Sequence, residues 1–294
     1  MGGLIAAVTS TFAISASALS TVGSRPHQAG ANWVGWENIK NAFIFYLTFE
    51  YNASTLLTYN FAYGGATVDS DLVPPYEPTV VSVKEQVESE FIPSYTGSSS
   101  KVEWSGDDSI FAVWIGINDI GNSYYNGQNA TDALNDQIFG VLSDLADQIY
   151  DAGGRNYVFI NVPPLDRTPL IKPQGESAVS LSAADVASWN QKVVDLATTL
   201  KAKDSTNVWV YDSNTAFGQV LDDPTSFPQT AGLKNTTDYC DAYQNGTPST
   251  DTLDPSCGIP VNEYFWLNNL HPTSAIHEVV ANGIADLLTA GPNI

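Results

Sequence analysis

Of the three histidines in the chain, His27, His271 and His277, one stands where a proton acceptor could reach a cleft. His271 ends the segment Trp266-Leu267-Asn268-Asn269-Leu270-His271 and is followed by Pro272, at the entrance to what reads as the last helix. An imidazole there can take a proton from a nucleophile near neutral pH. His277 falls inside that helix and reads as packed or solvated, and His27 lies in a Pro/Gly/Gln segment and reads as surface. Two further loops carry groups that could hold negative charge. Asn60 to Thr67 (NFAYGGAT) contains Gly64-Gly65, where the backbone can turn tightly and present N–H donors. Gly116-Ile117-Asn118-Asp119 can aim the Asn118 amide at a developing oxyanion. Each feature taken alone also reads as an ordinary turn. No metal-ligand cluster and no phosphate-binding glycine loop stands out in the sequence.

These loops need elements to hold them. Ile110 to Ile117 (IFAVWIGI) is a continuous apolar run, the pattern of a strand buried on both faces. Thr131 to Ala152 reads as a helix capped by Thr131 or Asp132 and ended by Gly153-Gly154. Tyr157 to Val162 is the next buried strand, stopped by Pro163-Pro164. Ser182 to Lys203 reads as a helix with Ser182 and Asp185 in a capping-box pattern. Val208 to Tyr211 and Leu56 to Tyr59 read as short strands, and Ser274 to Ala290 as the final helix. Alternating strands and helices with short connections imply one α/β domain, a parallel sheet flanked by helices. In such sheets the chemistry gathers at the carboxyl ends of the strands, where the loops of Asn118 and Gly65 fall.

Composition narrows the substrates. A net charge of -21 and a pI near 4.1 repel phosphate backbones and anionic membrane surfaces, excluding nucleic acid and disfavouring membranes. Neutral ligands remain compatible. Cys240 and Cys257 flank a loop-like stretch and could pair in an oxidising compartment, contributing about 3 kcal/mol through loop closure. Four Asn-x-Ser/Thr sequons, at Asn52, Asn129, Asn235 and Asn245, point the same way, toward secretion. Leu4 to Ile14 is apolar and Ala16-Ser17-Ala18 is cleavage-like, but no Lys or Arg precedes them, as a signal peptide normally requires.

The order of the three loops resembles the SGNH (GDSL) hydrolases, and longer stretches resemble the fungal acetylesterases of carbohydrate esterase family 16. These are Asn32-Trp33-Val34-Gly35, Tyr59 to Asp71 (YNFAYGGATVDSD), Phe111 to Ser123 (FAVWIGINDIGNS), Ala152 to Leu170 and Phe265 to Ala281 (FWLNNLHPTSAIHEVVA). The resemblance spans roughly Asn32 to the C-terminus. It implies a single-domain, flavodoxin-like three-layer sandwich over residues 32–294, behind a degenerate segment 1–31 that holds the first-strand region. It further implies a secreted carbohydrate O-acetylesterase acting on acetylated sugars or oligosaccharides through Ser-His acyl transfer, with no cofactor and no metal. In that scheme His271 is the base, and Gly65 and Asn118 belong to the oxyanion hole.

The sequence departs from the family in three places. The Gly-Asp-Ser that should end the first strand is missing; Ile5-Ala6-Ala7 fills the corresponding place if Val8 to Thr11 follows it, which leaves the nucleophile unknown and Ser10 its nearest candidate. Gly106-Asp107-Asp108-Ser109 is a decoy, because it leads into a strand instead of ending one. Asn268 stands where the family often has the Asp that orients the imidazole. Glu37 to Tyr46 (ENIKNAFIFY) interrupts a helix in the manner of translated intron, so either wrong upstream exon boundaries removed the nucleophile or the chain has decayed into an inactive sugar-binding pseudoenzyme.

Overall fold

A computed structural model of the chain describes residues 42–52, 56, 58–100 and 102–294, together with a strand at Phe12–Ala13. The expected boundary at residue 31, Asn32 to Gly35, Ser10 and Ile5 to Ala7 lie outside the described residues. So does His27.

Four strands make one sheet in the order β1 (Phe12–Ala13), β2 (Ile110–Trp114), β3 (Asn156–Ile160) and β4 (Asn207–Tyr211). β2, β3 and β4 are parallel, with Trp114, Ile160 and Tyr211 aligned at their carboxyl ends. β1 pairs antiparallel with β2.

The strands read as unbroken apolar runs because both faces are covered. Val113, Tyr157 and Phe159 meet Leu142, Leu145 and Ile149 of α5 (Gln128–Asp151). The next residue along β2, Trp114, points to the opposite face, as strand alternation requires. There it makes an edge-to-face contact, 5.2 Å between centroids, with Phe43 of α1 (Phe43–Phe49). α6 (Glu176–Lys201) lies beside α5, while α8 (Ser274–Ala290) packs against α1 and β4 and meets α7 (Ser213–Asp222). The result is a three-layer α/β sandwich.

Several boundaries differ from the sequence reading. β2 stops at Trp114, and Ile117–Gly121 forms the short helix α4, because Gly116 adopts φ +122° and breaks the extended run. A side chain at Gly116 is excluded twice over, since a Cβ there would sit 2.5 Å from Nε1 of the buried Trp189. No strand forms among the described residues of Leu56 to Tyr59. α5 begins at Gln128 behind Gly127, so neither Thr131 nor Asp132 is its cap. α6 begins at Glu176, which puts Ser182 and Asp185 inside the helix and removes the capping-box reading; both are fully buried, with Asp185 accepting from Asn135 Nδ2 at 2.7 Å. A capping box does form at Ser82 and Glu85, at the start of α2 (Val83–Glu85). It leads through a wider helical turn at Gln86–Phe91 into α3 (Ile92–Tyr95).

Two outcomes concern the unusual segments. Cys240 and Cys257 form a disulfide with Cα atoms 5.7 Å apart, as expected. Of the stretch Glu37 to Tyr46, residues 37–41 lie outside the described residues, while Ala42, Phe43 and Ile44 are buried against the sheet and α8.

Candidate active site

The Gly65 turn and the loop after β2 are fastened together. Ala66 N–H closes the turn on Tyr63 O at 3.2 Å, and Gly65 takes φ +82°, a conformation that L side chains rarely adopt. The Gly65 N–H makes no hydrogen bond among the described residues. Asn118 Nδ2 donates to Ala66 O at 2.9 Å, which ties the amide to the Gly65 turn. An amide NH2 has two hydrogens, so one remains for a ligand.

The second half of the bond between these loops is Asp119, the neighbour of Asn118, whose residue type alone gives no sign of this role. Its buried carboxylate accepts from Val68 N–H at 3.0 Å. Burial pushes the carboxyl up to about 7; the Val68 hydrogen bond opposes this and the charge of Asp185 adds to it. Its Oδ2 has no hydrogen-bond partner among the described residues. The same strip is held from behind by Val83 N–H on Thr67 O and Lys84 N–H on Val68 O, each at 3.0 Å, and by Lys84 Nζ on Asp69 at 2.8 Å.

His271 is oriented by Asn268. The Asn268 Oδ1 accepts from Leu270 N–H at 3.0 Å and His271 N–H at 2.8 Å, and lies 3.0 Å from His271 Nδ1. Backbone N–H groups can only donate, so the atom facing them must be the oxygen and not the amide nitrogen. Nδ1 must then carry the hydrogen, which leaves Nε2 with the lone pair of a base. Asn268 thus does the positional work of the missing Asp without its charge. The ring is partly exposed, but dense packing around it drives its pKa down to about 4 through burial, so it is neutral and ready to accept a proton at pH 7. His277 is buried inside α8, and burial together with the charge of His271 lowers its pKa to about 3. It is a packed residue, not a solvated one.

The His271 loop joins the rest through packing. Leu170 N–H donates to Asn269 O at 2.8 Å, tying the loop to the chain beyond β3. Tyr51, just beyond the end of α1, donates its hydroxyl to Glu278 of α8 at 2.9 Å. A polar network that the sequence did not reveal secures the neighbouring strand ends. Asn161 Nδ2 donates to Asp212 Oδ1 at 2.8 Å, and Asn190 and Asn214 both donate to Val162 O. Only its excess of Asn and Asp at strand ends could have signalled it.

Among the described residues, neither of the two serines next to an end of β2 or β4, Ser109 and Ser213, is free to act as a nucleophile. Ser109 is fully buried at the amino end of β2 and donates to Ser105 O, which disposes of the Gly-Asp-Asp-Ser decoy. Ser213 lies at the correct end of β4 but is fully buried and donates to Asn161 O.

The family model described as GDSL-like Lipase/Acylhydrolase matches residues 15–284. An acetylesterase of Thermothelomyces thermophilus is 34% identical over 267 residues, 87% of this chain and 74% of the relative. An acetylesterase of Hypocrea jecorina is 24% identical over 274 residues, 81% of this chain and 74% of the relative. The Gly65 turn, the Asn118 amide tied to it and the His271 ring held by Asn268 thus sit in a parallel α/β sandwich, and the chain belongs to the GDSL-like lipase/acylhydrolase family of ester hydrolases.

Proposed function

We propose that this chain carries the site of a secreted carbohydrate O-acetylesterase, complete in its base and in two oxyanion donors but without the family's nucleophile. The observation that carries the reading is the clamp of Asn118 onto Ala66 O, next to Gly65, whose N–H makes no hydrogen bond among the described residues. Those donors suit the oxygen of a tetrahedral intermediate. In a complete site, a serine hydroxyl passes its proton to Nε2 of His271 as its oxygen bonds to the acetyl carbon. His271 returns the proton to the departing sugar hydroxyl, and water then repeats the cycle to release acetate. Similarity to two acetylesterases supports acetyl as the acyl group. The disulfide and the exposed sequons at Asn52, Asn129 and Asn245 support secretion. A sugar-binding pseudoenzyme is the second reading, favoured by the missing Gly-Asp-Ser.

The test is 4-nitrophenyl acetate hydrolysis by residues 1–294 beside His271→Ala. The expected rates of both equal that of a nonspecific protein surface, since loss of a serine nucleophile costs roughly 10⁶ in turnover in a well-studied protease. Robust turnover that His271→Ala abolishes would show a nucleophile in place, with Ser10 the first residue to replace.

A further inference from the structure

Two of the four most exposed large apolar side chains among the described residues stand beside the oxyanion donors: Tyr76 is 66% exposed and Tyr125 is 62% exposed. Tyr76 belongs to the loop that follows the Gly65 turn, and its ring lies against Gly65. A Cβ at Gly65 would fall 2.5 Å from Cδ1 of that ring. Glycine at 65 is therefore required both for the turn and for room beneath the tyrosine.

The ring is not left on a free loop. Two successive prolines, Pro74 and Pro75, stiffen the backbone just before it. Asn122, at the end of α4, donates to Pro74 O at 3.4 Å, and Tyr125 OH donates to Asn122 O at 2.7 Å. The neighbouring Tyr124 is buried, hydrogen-bonds Gln174 at 2.8 Å and packs edge-to-face on Tyr125. Two loops, one continuing from Gly65 and the other from Asn118, thus brace each other and hold two aromatic rings out to solvent at their junction.

Exposed tyrosine rings gain nothing for the core. Their value is to a ligand with an apolar face and a polar edge, for which a tyrosine offers a flat surface and a hydroxyl at little conformational cost. A pyranose ring has that character: its axial C–H groups form an apolar face while its hydroxyls ring the edge. The surrounding surface, in a chain of charge -21, selects for a neutral ligand over an anionic one.

We propose that Tyr76, seconded by Tyr125, is the stacking platform for the sugar that bears the acetyl group, holding the pyranose so that its ester carbonyl reaches Gly65 N–H and Asn118. The proposal rests on the reading of the site as an O-acetylesterase centre and adds to it the residues that select a sugar ester over any other acetate.

The test measures binding, so it does not depend on a nucleophile. Residues 1–294 are titrated calorimetrically with partially O-acetylated xylotetraose, alongside Tyr76→Ala, Tyr76→Phe and Tyr125→Ala, each confirmed folded by circular dichroism. The expected result is a dissociation constant raised at least tenfold by Tyr76→Ala, several-fold by Tyr125→Ala and less than twofold by Tyr76→Phe. No measurable binding by the parent chain, or equal binding by parent and Tyr76→Ala, would overturn the proposal. A version supplied with a Gly-Asp-Ser strand separates the two ideas. If it hydrolyses 4-nitrophenyl acetate through His271 while Tyr76→Ala leaves sugar affinity unchanged, the platform is wrong and the catalytic reading stands. If Tyr76 governs sugar affinity but that version is inert, the platform stands and the catalytic reading fails.

Discussion

Asn268 decides which nitrogen of His271 carries a proton, and it does so with a neutral group. The missing negative charge has a measurable consequence. An Asp at this position would favour the imidazolium and raise the pKa of His271 from about 4 toward its ordinary value. Titration of the His271 Cε1 proton by NMR should therefore show a midpoint well below 6 in the parent chain and an upward displacement in Asn268→Asp. An unchanged midpoint would mean that Asn268 does not control the ring. The activity of any restored enzyme should follow the neutral imidazole, absent below the His271 pKa and rising with pH through it, so Asn268→Asp should move the acid limb to higher pH. The oxyanion role proposed for Asn118 can be tested in the same background: Asn118→Ala should lower kcat by roughly 10² to 10³, the range seen when one such donor is removed elsewhere. A loss below threefold would remove Asn118 from the oxyanion hole.

The loops are only as well placed as the elements that end in them. The α1 segment links the end of β2 to α8, through Phe43 on Trp114 and, just beyond the helix, Tyr51 on Glu278. Truncating a fully buried phenylalanine leaves a cavity in a close-packed core, so Phe43→Ala should destabilise the fold by about 3–5 kcal/mol in urea unfolding. If the stretch beginning at Ala42 were foreign to the fold, the loss would be near zero. The disulfide loop buttresses the other side of the site. Gln244, between the two cysteines, accepts a long hydrogen bond of 3.4 Å from Asn268 Nδ2. Replacing both cysteines by serine should cost about 2–4 kcal/mol and loosen Asn268, broadening the His271 resonances. Wild-type stability in the double variant would deny the bridge any structural role.

Across the molecule, periodicity and apolar runs gave away the three parallel strands and the last helix, Ser274–Ala290, whose bounds are as expected. Apolar runs are long-range signals that many residues share. The sequence reading failed where one residue outweighs its neighbours: Gly116 at φ +122° ends β2 early, and Ser182 and Asp185 mimic a cap while sitting buried against another helix. The partners in the site were legible as residue types, but the clamps between them were not, because Asn118 on Ala66 O and Asp119 on Val68 N–H each bridge about fifty positions of sequence. Asp119 also marks a strain carried for the sake of those loops. A carboxyl whose folded pKa is raised adds stability that is fully present below its unfolded value near 3.8 and is lost as pH rises through about 7. Asp119→Asn should accordingly raise Tm relative to the parent more at pH 8 than at pH 5, and a pH-independent difference would contradict the assignment of buried charge. The most direct measurement replaces residues 1–31 with a first strand ending in Gly-Asp-Ser, keeps the packed residues from Ala42 onward, and follows 4-nitrophenyl acetate hydrolysis. The expected result is turnover at least a thousandfold above the parent chain, abolished by His271→Ala. A folded graft with no such gain would contradict the claim that the nucleophile is the one catalytic part this chain lacks.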